Sequence, residues 1–274
     1  MIKYIKKILV ILLVVNSHCK DLTNETLYLG LCTEFWDLDK ATIPNDQYKF
    51  YRDYIAKTSG PILEPMCGTG RFIIPYVEEG FDVEGFDASP HMFNELRKKC
   101  VAKNISPRIW EQYLEDVPET KKYKLIFIPD TSFTIFTDTF HIKNALQKLY
   151  RLLMPGGKLV FDVQTIKARW GDIGVWTGKA YKKPDGNIII ESSLPLPIQN
   201  SISPLILKYE LMDKTGILKT ETEYYQAKLY HPTEMDDLLK EAGFKKIKRI
   251  KRYNRKASSS LQDLDETIIY ECTK

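Results

Sequence analysis

Two carboxylates flank a glycine turn near the front of the chain. The stretch Pro61-Ile-Leu-Glu-Pro-Met-Cys-Gly-Thr-Gly-Arg71 sets Glu64 after a short apolar run, with Gly68 and Gly70 just beyond it. Asp87 closes the next segment, Phe81-Asp-Val-Glu-Gly-Phe-Asp87, seventeen positions after Gly70. Glycines in such a turn let a ligand lie against bare backbone, and a helix that starts there offers unpaired N–H donors. An acid about 20 positions past the turn is where nucleotide-binding sheets hold ribose hydroxyls. These residues therefore suit the binding of a ligand that contains a nucleoside.

The elements that must hold them follow from the same stretch. Ile62 and Leu63 read as a buried strand, and Arg71 to Glu79 as a helix. Phe81 to Asp87 alternates apolar and polar residues and reads as a second strand. Ser89 can cap the next helix, with Pro90 at its first position. A dinucleotide fingerprint would need a third glycine at position 73, which is Ile73. A P-loop would need Gly-Lys-Ser/Thr, whereas Arg71 and Phe72 follow Gly70. Both patterns fail, which argues against a dehydrogenase and excludes a simple ATPase.

What remains, acid-x-x-x-Gly-x-Gly followed by Gly-x-Asp-x-Ser-Pro, resembles the class I S-adenosylmethionine-dependent methyltransferases. The resemblance extends from about Leu27 to the C-terminus and is most specific over residues 61–92. It implies a Rossmann-like, doubly wound α/β sheet of seven strands with a C-terminal antiparallel strand and an inserted antiparallel β cap. It also implies that S-adenosyl-L-methionine is the cofactor. Glu64 and the turn Cys67, Gly68 and Gly70 would hold its methionine part, and Asp87 with Ala88 its ribose. Met92 would pack near the adenine. Met66 stands where the family usually has glycine, so its side chain must point away from the ligand or line the pocket. Tyr113 stands where relatives carry the adenine-binding carboxylate, with Leu114 after it; Glu115 or Asp116 could supply the acid if the loop shifts. Phe35-Trp36-Asp37 matches an aromatic segment that lies over the cofactor in related enzymes. Trp36 would offer an aromatic face to the sulfonium, or the segment is simply a hydrophobic flap on the sheet.

The rest of the chain fills in this frame. Tyr48, Tyr51, Tyr54 and Ile55 recur at helical spacing before the first strand. Pro107 to Trp110 reads as a third strand. Lys124 to Pro129 is apolar enough to be buried on both faces as a fourth. Asp130 follows it, on the side where doubly wound sheets bind ligands, and is the candidate catalytic base. The sequence Asp130-Thr-Ser-Phe133 does not match the Asn/Asp-Pro-Pro-Tyr/Phe of enzymes that methylate DNA amino groups. Phe140 to Leu153 is an amphipathic helix ended by Pro155-Gly-Gly157, and Lys158 to Val163 is the fifth strand. Turns at Pro184-Asp-Gly186 and Asp213-Lys-Thr-Gly216 mark antiparallel hairpins. Trp170, Trp176, Tyr209, Tyr224 and Tyr225 lie in this segment as possible acceptor contacts or as cross-strand packing, and Ser192 to Pro204 reads as a mobile loop. Pro232 to Phe244 is a helix with a glycine stop, Lys245 to Arg252 a sixth strand, Arg255 to Asp265 an exposed loop and Glu266 to Cys272 the last strand. The expected division is a signal-like or over-extended leader at 1–20, a lid and helix at 21–57, a cofactor-binding core at 58–169, a β cap at 170–229 and closing elements at 230–274.

Charge and cysteines narrow the function classes. The 274 residues carry a formal net charge of +4. Lys3, Lys6, Lys7 and Lys20 account for all of it, so the remainder is formally neutral. A neutral body lacks the broad basic footprint of a nucleic-acid binder. The five cysteines and four histidines show no metal-ligand spacing, and no metal is expected. Residues 1–20 have the basic head and short apolar centre of a secretory signal, though the centre is too short to span a bilayer. Because the cofactor is a cytosolic metabolite, the expectation is a cytoplasmic protein, with membrane association only if that leader is retained. The partner expected is a small-molecule methyl acceptor. The rival readings are an RNA or protein methyltransferase and a non-catalytic binder of the same cofactor.

Overall fold

The computed structural model describes residues 27–258 and 264–274. The leader at 1–20 lies outside them. In chain order the elements are α1 (Gly30–Asp39), α2 (Asn45–Ala56), β1 (Ile62–Pro65), α3 (Ile73–Glu78), β2 (Val83–Asp87), α4 (Pro90–Ala102), β3 (Ile109–Glu111), β4 (Tyr123–Ile128), α5 (Thr139–Leu152), β5 (Leu153–Gln164), β6 (Thr177–Lys182), β7 (Ile188–Pro195), β8 (Ile202–Asp213), β9 (Gly216–Lys228), α6 (Pro232–Ala242), β10 (Lys246–Lys251), β11 (Asn254–Ser258) and β12 (Thr267–Thr273).

The main sheet runs β11-β10-β12-β5-β4-β1-β2-β3. Strands β1 to β5 are mutually parallel, and β12 enters antiparallel between β5 and β10. The chain winds from β1 outward to β3, then crosses back to β4 on the other side of β1. That reversal opens a crevice at the C-terminal ends of β1 and β4, where such sheets bind ligands. Strand β4 is buried on both faces, which is why it reads as an unbroken apolar run. Leu125 and Phe127 face a core with Tyr51, Ile73 and Leu96, while Ile126 and Ile128 face another with Leu146, Leu149 and Leu239.

A second sheet, β6-β7-β8-β9, is antiparallel throughout. Helix α1 packs on it through Leu31, Cys32 and Phe35, which cluster with Ile189 and Tyr209. The sheet also caps that helix: Glu223 accepts from Leu29 N at 2.8 Å and Glu221 from Leu31 N at 2.7 Å. Carboxylates at a helix N-terminus satisfy its free N–H groups and oppose its dipole.

Three local expectations change. The main sheet has eight strands, because Asn254–Ser258 pairs with β10 as β11 where an exposed loop was expected. Arg252 and Tyr253, at φ 50° and 52°, form a two-residue hairpin turn without the usual Gly or Asn. The segment from Ser192 to Pro204 is mostly paired strand: β7 stays in register with β8 as far as Pro195↔Leu205, and Asn200 and Ser201, at φ 50° and 61°, make a two-residue turn between Gln199 and Ile202. Pro155-Gly-Gly157 does not separate α5 from β5. It lies inside the strand as an irregularity, where the pairing with β4 jumps from Tyr123↔Leu153 to Leu125↔Lys158. The chain end holds it there, since Gly156 N donates to Lys274 O and Lys274 N to Gly157 O, each at 3.0 Å.

Candidate active site

The glycine turn is built from backbone hydrogen bonds and one carboxylate. Cys67 N donates to Phe86 O at 3.0 Å, Gly70 N to Cys67 O at 2.9 Å, and Gly68 N to Asp87 Oδ2 at 2.7 Å. The other Asp87 oxygen accepts from Ser89 N at 2.9 Å. Ser89 caps α4, its hydroxyl accepting from Met92 N at 3.3 Å and donating to Tyr28 O at 3.1 Å. Burial pushes the Asp87 carboxyl up, against the hydrogen bonds from the Ser89 and Gly68 amides.

Glu64 is 2% exposed, and its Oε2 has no hydrogen-bond partner. Burial, then the nearby Asp87 and Asp130, raise its carboxyl well above the usual range. No lysine or arginine is paired with it among the described residues. A buried carboxylate in this condition is costly unless a cationic group joins it.

Around this turn the crevice widens into one cavity of about 860 Å³. Of the sequence-predicted residues, Trp36, Glu64, Met66, Cys67, Gly68, Asp87, Ala88, Met92, Tyr113, Leu114 and Asp130 all line it, as does Glu115. Gly70 does not; its Cα faces Leu96 and Ile74 behind the turn. Met66 lies at φ +58° and its side chain packs partly into the core. Tyr113 is 37% exposed at the rim. Asp130, at φ +61°, is held by Arg71, whose Nη1 reaches Asp130 Oδ2 at 2.7 Å while Nη2 donates to Thr42 O at 2.8 Å. Trp170, Tyr209 and Tyr225 line the cavity as well. Trp176 and Tyr224 do not, and Trp176 is 51% exposed.

Helix α1 closes one side of the cavity. Thr69 Oγ1 donates to Asp37 Oδ1 at 2.5 Å, and Lys99 Nζ lies 2.6 Å from Asp37 Oδ2. Sequence reasoning passed over several lining residues: Tyr28, Arg71, Gln164, Glu191 and Glu223. Tyr28 is the most constrained, at φ +56° with burial and the neighbouring Tyr225 raising its hydroxyl. No short-range pattern marks these residues, because the partners that define them are far away in sequence. Among the described residues no set of His, Cys, Asp or Glu is placed to hold a metal ion, and no helix is long and apolar enough to cross a membrane. Cys32, Cys67, Cys100 and Cys272 are buried free thiols.

The sheet order and the glycine turn at the strand-order reversal are those of the class I S-adenosylmethionine-dependent methyltransferase fold, and the comparisons with known proteins support an enzyme of that class. Residues 62–157, from β1 into β5, match the family model described as a methyltransferase domain. A relative from Geobacillus sp. (strain WCH70), described as a methyltransferase, is 23% identical over 197 residues, 72% of this chain and 78% of that one. The fold is similar to a methyltransferase structure from Clostridium acetobutylicum, with a TM-score of 0.71 at 16% identity over 88% of this chain and 96% of the other. It is also similar to the S-adenosylmethionine-bound amino pentose methyltransferase CalS10 of Micromonospora echinaspora, with a TM-score of 0.66 at 17% identity over 91% and 98% of the two chains.

Proposed function

We propose that the chain transfers the methyl group of S-adenosylmethionine to a small molecule held beneath the β6–β9 sheet, in the cytoplasm where the cofactor is made. The observation that carries this is the cavity itself. At about 860 Å³ it lies toward the upper end of the roughly 300–1,000 Å³ typical of ligand sites. It is roofed by α1 and the antiparallel sheet, which favours a small acceptor over a polymer laid along an open groove.

The cofactor supplies an electrophilic methyl carbon on a positively charged sulfur. In this reading Glu64 receives the ammonium of the methionine part, which gives its orphaned oxygen a partner. Asp87, already oriented by two amides, has lone pairs left for ribose hydroxyls. Ala88, Met92, Tyr113 and Leu114 flank the base, with Glu111 and Glu115 as acids lining the same cavity. Trp36 covers the ligand from α1, while Met66, Cys67 and Gly68 form its floor. Asp130 is tied to Arg71 in an ion pair that fixes its position near the strand ends. An amine with a free lone pair needs no base, so the residues act chiefly by orienting the reactants and keeping water out.

The test is calorimetric titration of S-adenosylhomocysteine, followed by methyl transfer from labelled S-adenosylmethionine into a fractionated cell extract. Micromolar binding is expected, weakened roughly 10- to 100-fold by Glu64→Gln through loss of a charge-assisted hydrogen bond. Label should enter the dialysable fraction. The absence of cofactor binding, or label confined to RNA or protein, would sink the reading.

A further inference from the structure

The cofactor side of the cavity is drawn from the ends of β1 to β3. The opposite wall comes from the end of β5 and from the antiparallel sheet, and its polar groups are short of partners. Gln164 Oε1 and Trp170 Nε1 are both buried and both lack a hydrogen-bond partner, and both residues line the cavity. Trp170 stands edge-on to Tyr225, with ring centroids 5.9 Å apart. Across β6 and β7, Thr177 is in register with Ser193, and their hydroxyls lie 3.1 Å apart. Two residues along the same face of β7 is Glu191. The cation opposite it in register, Lys179, is bound instead to Asp39 at 2.8 Å. Among the described residues no ion pair reaches Glu191, and burial pushes its carboxyl up, against a hydrogen bond from the Ser193 hydroxyl and the charge of Lys179.

Each of these groups asks for a different complement. The indole N–H only donates, the amide oxygen only accepts, and a half-buried carboxylate without a cation favours an ammonium. A hydroxyl both accepts and donates, so it can satisfy either of the first two. An apolar or aromatic acceptor would leave the Trp170 N–H and the Gln164 oxygen unpaired and Glu191 without a cation, and sites built for hydrogen bonding strongly reject ligands that lack the matching group.

Resting on the methyltransferase reading above, we infer that this wall is the acceptor subsite and that it takes a hydroxylated amine. Glu191 holds the ammonium, Gln164, Trp170 and the Thr177–Ser193 pair hold hydroxyls, and the Trp170 and Tyr225 rings lie against the carbon frame. Glu191 is assigned binding: it receives the amine as an ammonium, and that proton leaves to water before transfer. The neutral amine then attacks while still donating an N–H to Glu191, and the methylated ammonium that forms is held by the same carboxylate.

The experiment is ligand-observed NMR titration of the full chain saturated with S-adenosylhomocysteine, using three probes of similar size: glucosamine, glucose and cyclohexylamine. Glucosamine is expected to bind more tightly than either of the others, by about tenfold. Glu191→Gln should abolish its advantage over glucose. Trp170→Phe, which keeps a ring and removes the N–H, should weaken glucosamine and glucose roughly five- to tenfold and leave cyclohexylamine unchanged. Neither substitution should alter the affinity for S-adenosylhomocysteine. Equal binding of glucosamine and cyclohexylamine, no binding of any probe to the loaded chain, or indifference to both substitutions would overturn the assignment. If the unmodified chain fails to bind S-adenosylhomocysteine, the methyltransferase reading itself has failed and the acceptor assignment goes with it.

Discussion

Gly68 and Gly70 share a turn and a left-handed backbone, yet a methyl group added to each should act through different physics. At Gly68, φ +53°, an added Cβ meets no atom within 4 Å. Gly68→Ala therefore pays only the left-handed cost, about 1–2 kcal/mol. At roughly 2–4 °C per kcal/mol for a chain of this size, the melting midpoint falls by about 2–8 °C. The new methyl lies beside a cavity-lining residue, so a ligand pressed on the turn must absorb it. Overpacking of that kind costs about 1–3 kcal/mol, at least tenfold in affinity for S-adenosylhomocysteine at the middle of the range. At Gly70, φ +87°, the same methyl would sit 2.4 Å from Leu96 Cδ1 and 2.8 Å from Ile74 Cδ1, inside the core. Gly70→Ala adds an overpacking cost to the left-handed one, about 2–5 kcal/mol together, and lowers the midpoint further. Scanning calorimetry and ligand titration on the two variants separate the effects. A Gly68→Ala protein that melts slightly lower and binds with unchanged affinity would refute the claim that the cofactor lies against this turn.

Met66 also has a left-handed backbone, at φ +58°. Met66→Gly relieves about 1–2 kcal/mol of strain and loses side-chain packing and backbone entropy of similar size. The midpoint should move by no more than about 3 °C and the affinity for S-adenosylhomocysteine by less than about fivefold; a larger affinity loss, read by calorimetry, would make the thioether a ligand contact. Asp162 gives a pH test. It is fully buried, accepts from Tyr51 and Tyr253 hydroxyls at 3.1 and 2.7 Å and from Thr131 N at 2.5 Å, and burial pushes its carboxyl from 3.8 up to about 6 against those hydrogen bonds. Because the folded chain then takes this proton before the unfolded chain does, Asp162 adds stability as pH falls through 6, on the order of 1–2 kcal/mol between pH 7.5 and 5. Denaturant titrations of wild type and Asp162→Asn at the two pH values should differ in slope by that amount; equal slopes would show that the carboxyl is not perturbed.

The parts of the fold legible in the sequence are those specified within a few residues. The first strand, the glycine turn and the Ser89 cap read correctly because their chemistry is local: an apolar run, a small-residue turn and a hydroxyl before a proline. The antiparallel sheet was legible from its turn residues at 184–186 and 213–216. The turns that escaped, Asn200-Ser201 and Arg252-Tyr253, lack glycine, and Tyr253 is fixed by its hydrogen bond to Asp162 and its packing on Phe50, ninety and two hundred positions away. The candidate site divides in the same manner. Glu64, Gly68 and Asp87 announce themselves by spacing. Arg71 acquires its significance from Asp130, 59 positions on, and Glu223 from Leu29, 194 positions back. No periodicity encodes such pairs, since Arg71, Asp130 or Glu223 alone reads as an ordinary surface charge.

That distant pairing ties the two halves of the cavity together. Helix α1 is fastened at its N-terminus to β9 by Glu221 and Glu223, and near its C-terminus to the glycine turn by Asp37. Tyr225, two residues beyond Glu223 on the same face of β9, lines the wall assigned to the acceptor. Its hydroxyl, held up at about 12 chiefly by burial, is bonded to Thr134 beyond β4 and to Tyr28 just before α1. Tyr28 in turn accepts from Ser89, which caps the helix following Asp87. A displacement of α1 must therefore break contacts to the turn, to the loop after Asp87 and to the antiparallel sheet together. Each of the two part-buried carboxylate–amide bonds contributes about 1.5–3 kcal/mol, so the helix is a wall fastened to both sides of the cavity. In a reaction that depends on placing two reactants in line, a shared wall fixes their separation without a residue that touches both.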